Sequence, residues 1–206
     1  MRYYFINFFV FIFLFITSLN SYADMTIEEL FFDNSKPFHL KILEIIPENG
    51  KIEIGPKNAK NTIIEFMDYF CGYCKKIHPE LLEIAKERND TRVIFLQHPI
   101  LSQSSTLIAE MVVAASYQNK DLELHNALFS IEGNLNRDKL DNIMQTLEIN
   151  SIKLNIDMGK DETKNIVKLS SFLANGAGAR GTPTLLINEE IFPGYISAQQ
   201  IKSLLK

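Results

Sequence analysis

Residues 62–78 read Thr62-Ile63-Ile64-Glu65-Phe66-Met67-Asp68-Tyr69-Phe70-Cys71-Gly72-Tyr73-Cys74-Lys75-Lys76-Ile77-His78. The first six, Glu65 apart, make a short apolar run rich in β-branched residues, the pattern of a buried strand. From Cys71 to about Arg88 the period changes. Cys74, Ile77, Leu81, Ile84 and Ala85 recur three and four apart, which predicts a helix beginning at the first cysteine. Pro79 lies inside that helix, where it removes a backbone donor and should kink it.

A cysteine at a helix start meets unpaired N–H groups and partial positive charge, which favour thiolate over thiol. Lys75 and Lys76 add charge nearby. Cys71 should therefore attack, and Cys74, one turn further in, should resolve the mixed disulfide. These are the two cysteines of the chain. A disulfide stabilises mainly by closing a long loop, and two intervening residues make almost none. The spacing favours a bond that is made and broken over a staple. A second reading stays open: Cys71, Cys74 and His78 lie on one helical face, so an exported metal- or copper-binding protein is the alternative. It lacks a fourth strong ligand from a second cysteine pair.

Outward from the motif, Val93–Leu96 reads as a second buried strand, ending at His98-Pro99. Amphipathic helices are predicted near 102–118, 120–130, 137–148 and 160–175, separated by Gly133-Asn134 and Asn150-Ser151. Thr184–Ile187 and Ile191-Phe192 are strands, and Ser197 caps a last helix reaching Leu205. On the amino-terminal side, residues 51–54 read as a short strand, with turns at Pro47–Gly50 and Gly55–Asn58. The result is an α/β sheet domain interrupted by an all-helical insertion.

Twenty-one basic and 25 acidic side chains among 206 residues give a net charge of −4, spread along the chain. No basic cluster with interleaved aromatics appears, so nucleic acid is not an expected partner. Residues 1–23 read as a signal peptide: Arg2, an apolar run from Phe5 to Leu19, then Ser21-Tyr22-Ala23 as the cleavage site. An uncleaved anchor is the competing reading, and either way the domain is exported. Residues 24–50 form a lead-in whose Ile27, Leu30, Phe31 and Leu40 need burial, against the domain or in an oligomer.

The run Gly55–Lys75 resembles the opening of bacterial periplasmic DsbA-like thiol–disulfide oxidoreductases. Gly181-Thr182-Pro183-Thr184-Leu185-Leu186-Ile187-Asn188, followed by Pro193-Gly194, resembles that family's cis-proline loop and closing hairpin. The resemblance spans residues 50–206 and implies a thioredoxin-like fold with an inserted helical subdomain. Residues 51–100 and 178–206 would form the thioredoxin-like domain, and 101–177 the insertion. It implies Cys71 as nucleophile, Cys74 as resolving thiol, Pro183 as the cis-proline and Thr182 as the residue before it. Glu65, six positions before Cys71, matches a buried acid that moves protons to and from Cys74. Tyr69, Phe70 and Tyr73 would make an apolar rim for clients or pack internally, while His78 and His98 are expected as surface or packing residues.

The implied partners are unfolded or misfolded exported proteins with cysteines, and a redox protein that recycles the dithiol. The implied site of action is the periplasm. No cofactor is expected, because the dithiol carries the two electrons. Gly72-Tyr73 and Thr182 resemble the disulfide isomerases of this group, whereas its strongest oxidase carries Pro-His between the cysteines. Without a histidine at 73, Cys71 should be less acidic than in the strongest oxidants. Oxidation and isomerisation of client disulfides both remain open from the sequence.

Overall fold

A computed structural model describes residues 36–206. The signal peptide expected at 1–23 lies outside the described residues, as do Ile27, Leu30 and Phe31 of the lead-in.

The described chain opens with helix α1 (Phe38–Ile45), a short 3-10 turn (Glu48–Gly50) and strand β1 (Ile52–Ile54). Then come β2 (Asn61–Met67), α2 (Gly72–Glu87) and β3 (Thr91–Gln97). Five helices follow: α3 (Gln103–Ser116), α4 (Asp121–Ser130), α5 (Arg137–Thr146), α6 (Ser151–Gly159) and α7 (Asp161–Gly176). Strands β4 (Thr184–Ile187) and β5 (Glu190–Pro193) and helix α8 (Ala198–Leu204) complete it. All five helices of the insertion therefore lie between β3 and β4.

The sheet order is β1-β3-β2-β4-β5. β2 runs parallel to β3 and antiparallel to β4. Every residue of β2 is buried, as befits a central strand covered on both faces. This explains why Thr62–Met67 is a continuous apolar run rather than an alternating one. Helix α2 packs Ile77, Leu81 and Ile84 into the core formed with Ile63, Val93 and Phe95. Within the insertion α3 is the hub, touching α4, α6 and α7. Its buried face carries Ile108, Ala109, Val112 and Val113.

Three local features differ from expectation. Residues 38–45 of the expected lead-in form α1; Ile42 and Ile46 are buried, whereas Leu40, for which burial was expected, is exposed. Asn150-Ser151, read as a break between helices, starts α6: the Asn150 side chain accepts the Lys153 N–H as an N-cap. Strand β3 extends beyond its apolar core because it pairs with β2 along its whole length, from Thr91 to Gln97, and Arg92 pairs with Glu53 of β1. The turn at Gly55 holds φ at +100°, and a Cβ there would lie 2.4 Å from the Thr91 carbonyl oxygen. Only glycine fits both restrictions.

Candidate active site

The antiparallel register pairs Phe66 of β2 with Thr184 of β4. The chain leaving β2 toward Cys71 therefore runs beside the chain entering β4 through Thr182 and Pro183. The Thr182–Pro183 peptide is cis. The Cys71 thiol donates to the Thr182 carbonyl oxygen at 3.1 Å, across 111 positions of sequence. Cys71 is also the N-cap of α2, its sulfur accepting the Cys74 N–H at 3.3 Å. Both cysteines are free thiols, Cys71 at 7% exposure and Cys74 at zero.

These surroundings separate the two thiols chemically. Interaction with the Cys74 thiol is the largest influence lowering the Cys71 pKa, to about 6, against the opposing effect of burial. Thr182 and the N–H groups of Cys74 and Tyr73 lower it further. Cys74 is pushed strongly upward, first by burial, then by Cys71 and by Glu65. Glu65 is fully buried between Phe95 and Leu185 on the neighbouring strands. Burial raises its carboxyl to about 8, with Cys74 opposing and Cys71 adding to the rise. Neither Glu65 oxygen has a hydrogen-bond partner among the described residues. A buried, unpartnered carboxyl is held neutral near pH 7, where it can release or take up a proton.

Phe70 and Tyr73 are exposed beside the motif. A cleft of about 410 Å³ opens beside Cys71, with Phe70, Leu128, Ile131 and Leu135 among its walls. Tyr69 turns inward instead. Its hydroxyl pairs with His125 Nδ1 at 2.9 Å and accepts from the Gln97 amide at 3.3 Å.

The ligand set of Cys71, Cys74 and His78 is not assembled. His78 stacks on Phe129 and bonds Asn126 through Nε2, so its ring is committed to the insertion. No group of three or more metal-ligating side chains gathers among the described residues. Helical spacing put the three residues on one face, but two aromatic neighbours and α4 claim the histidine. His78 and His98 are both buried. Burial lowers His78 to about 4, and His125, which sequence reading did not single out, well below the usual range. Asp68 was missed as well. Its Oδ1 accepts the Phe70 N–H at 2.9 Å, and its Oδ2 accepts the N–H groups of Ile100 and Leu101 at 3.0 Å each.

A family model described as thioredoxin matches residues 48–206. The chain belongs to the thioredoxin family. This thioredoxin-family chain is 26% identical to the catalytic domain of Proteus mirabilis ScsC, with a TM-score of 0.68. That likeness covers 77% of this chain and 88% of the other. Disulfide bond formation protein D of Bacillus subtilis is 21% identical over 169 residues, 76% of each protein. A 136-residue stretch is also 22% identical to Na(+)/H(+) antiporter NhaA 3 of Salinispora tropica, and there the chain spans only 21% of the relative's length. The resemblance to DsbA-like proteins stands, and so does the thioredoxin-like fold with a helical subdomain.

Proposed function

We propose that this protein is an exported thiol–disulfide oxidoreductase that forms or isomerises disulfides in client proteins. The carrying observation is the placement of Cys71: its sulfur caps α2, faces the cis Thr182–Pro183 bond, and has a depressed pKa. In the oxidising direction, a client thiolate attacks the sulfur of Cys71 in the Cys71–Cys74 disulfide, and Cys74 leaves as a thiolate. A second client thiol then displaces Cys71. The client loses two electrons and two protons, and the pair becomes a dithiol. In isomerisation the Cys71 thiolate attacks a client disulfide, and the mixed disulfide resolves onto another client cysteine or onto Cys74.

Glu65 is the group that exchanges a proton with Cys74, because a buried thiol cannot leave or attack as a stable anion without one. Thr182 and Pro183 hold the loop against which a client segment would lie, pairing with exposed backbone as in edge-strand recognition. We assign residues 51–100 and 178–206 to the redox domain and 101–177 to the insertion, with residues 1–23 directing export to the periplasm. Recycling of the pair falls to a separate redox protein.

The deciding experiment equilibrates the protein with glutathione buffers and counts trapped thiols by mass spectrometry. A reversible two-electron transition at roughly −120 to −180 mV is expected for an oxidant or isomerase. A pair that never closes, or opens only below about −300 mV, overturns the proposal.

A further inference from the structure

Tyr73, Lys76 and Glu80 stand three and four apart on α2, so their side chains share one face of that helix. Tyr195, in the turn between β5 and α8, lies along that face. Its ring centroid is 6.2 Å from that of Tyr73, and the Lys76 ammonium stands 3.8 Å from it. Its hydroxyl donates to Glu80 Oε1 at 2.7 Å. The second oxygen of Glu80 accepts the Ala198 N–H at 2.6 Å. Ala198 opens α8, where an N–H has no acceptor within the helix. One side chain of α2 thus grips the returning chain at two points, 115 and 118 positions away in sequence.

The residue before Tyr195 connects this grip to the reacting sulfur. Gly194 donates its N–H to the Pro183 carbonyl oxygen at 2.8 Å. The neighbouring Thr182 carbonyl oxygen is the one that accepts the Cys71 thiol. We infer that Glu80 is a positioning residue: by holding Tyr195 and Ala198 to α2, it sets how closely the Thr182–Pro183 loop lies against the Cys71 sulfur. The inference rests on the oxidoreductase reading above. Three features support it. First, Cys71 caps α2 and Glu80 lies further along the same helix, so sulfur and loop are both referred to one element. Second, both oxygens of the carboxylate are engaged, and charge-assisted bonds of this kind are about twice as strong as neutral ones. Third, the Thr182 side chain is one of the groups that lower the Cys71 pKa, so a loop that draws back leaves the thiolate less favoured.

The test follows alkylation of Cys71 by iodoacetamide against pH in the reduced protein, read by mass spectrometry. In Glu80→Ala the midpoint should rise by about one pH unit over wild type, the worth of one hydrogen bond to a charged group. Glu80→Gln should return it to the wild-type value. Its oxygen can still accept the Ala198 N–H, and its amide can donate to the Tyr195 hydroxyl. Tyr195→Phe, which removes one of the two bonds and keeps the ring, should give a smaller rise. A pure charge effect has the opposite sign: losing a nearby anion favours the thiolate, so alanine and glutamine alike would lower the midpoint.

A grip that merely caps α8 lowers the urea midpoint of Glu80→Ala and leaves the alkylation midpoint where it was. An unmoved or lowered alkylation midpoint in that variant overturns the inference, as does a glutamine variant that folds and fails to restore it. If Glu80→Ala does not fold, Tyr195→Phe decides: a rise sustains the inference and an unchanged midpoint removes it. Reaction of the wild type with glutathione disulfide is run alongside. No reaction there refutes the oxidoreductase reading, and the role of Glu80 in exchange falls with it. Normal glutathione exchange with an unmoved midpoint in Glu80→Ala refutes the role of Glu80 alone.

Discussion

Cys71 caps a helix N-terminus, and its pKa of about 6 follows first from the Cys74 thiol, then from Thr182 and the N–H groups of Cys74 and Tyr73. Alkylation of reduced protein by iodoacetamide should therefore rise with pH around a midpoint near 6, far below an ordinary thiol at about 8.5. Mass spectrometry should show Cys71 alone modified at pH 7, because Cys74 is held protonated. Replacing Cys74 with serine should trap a mixed disulfide with client peptides, visible on a non-reducing gel. In protein that keeps Cys74, replacing Glu65 with glutamine should slow resolution of the mixed disulfide by about 100-fold, the lower end of general acid–base contributions. Rapid-quench kinetics checks this, with the first attack by Cys71 as the internal control. At this scale the cysteines, Glu65 and the Thr182–Pro183 loop were legible, since each belongs to a short pattern with fixed offsets. Asp68, Gln97 and His125 were not, and neither was the partner of Tyr69. Tyr69 meets His125 across 56 positions, and no local spacing announces such a meeting.

At the scale of elements, strands and helices with one continuous apolar signal were readable, and those whose apolar residues face outward were not. Helix α6 shows the reason. Ile152 and Ile156 point to solvent, while Leu154 and Asp157 are its buried residues. Asp157 is accommodated by Lys153 and Lys160 at 2.6 Å each, so a charge occupies a core-facing position and hides the periodicity. Asn150→Ala should destabilise the protein by about 1 kcal/mol through loss of the α6 cap, measured by urea unfolding. Gly55→Ala should cost more, about 2 kcal/mol or above, because both its φ and the Thr91 carbonyl oppose a side chain. An equal midpoint for Gly55→Ala and wild type would show that this turn can shift at no cost.

Across the whole molecule, the insertion is tied to the sheet domain by a ring cluster of Tyr69, His78, Phe95, His125 and Phe129. The cluster and the active site titrate in opposing senses. All four histidines have pKa values lowered chiefly by burial. Below pH 6.5 the unfolded chain takes up protons that the native one refuses, so stability falls as pH drops toward 4. Glu65 behaves in reverse: the unfolded carboxyl ionises above 4.5 while the native one keeps its proton to about 8, so stability falls across that interval as pH rises. Cys71, at about 6 when folded and 9 when unfolded, offsets that loss in the reduced protein. Reduced wild type should then show a plateau of stability between pH 6.5 and 8. Cys71→Ser should lose it, declining by about 1.4 kcal/mol per pH unit. Urea midpoints across this range decide, and adding Glu65→Gln should restore the plateau. The alternation of strands and helices let the sequence show that an insertion exists. It did not show what fastens it, because the histidines that do so look like surface residues in a one-dimensional pattern.

The separation of Cys71 from Thr182 by 111 positions also sets an order in time. A ribosome adding about 5–20 residues each second releases the cysteine pair on the order of ten seconds before the loop that faces it. Until β4 slots beside β2, the central strand has a neighbour on one side only, and α2, interrupted by Pro79, is weakly held on its own. Cys71 of the growing chain is therefore an ordinary, mostly protonated thiol, slow to react with whatever passes. Its reactivity reaches its full value only once the Thr182–Pro183 loop has been made and lies against it.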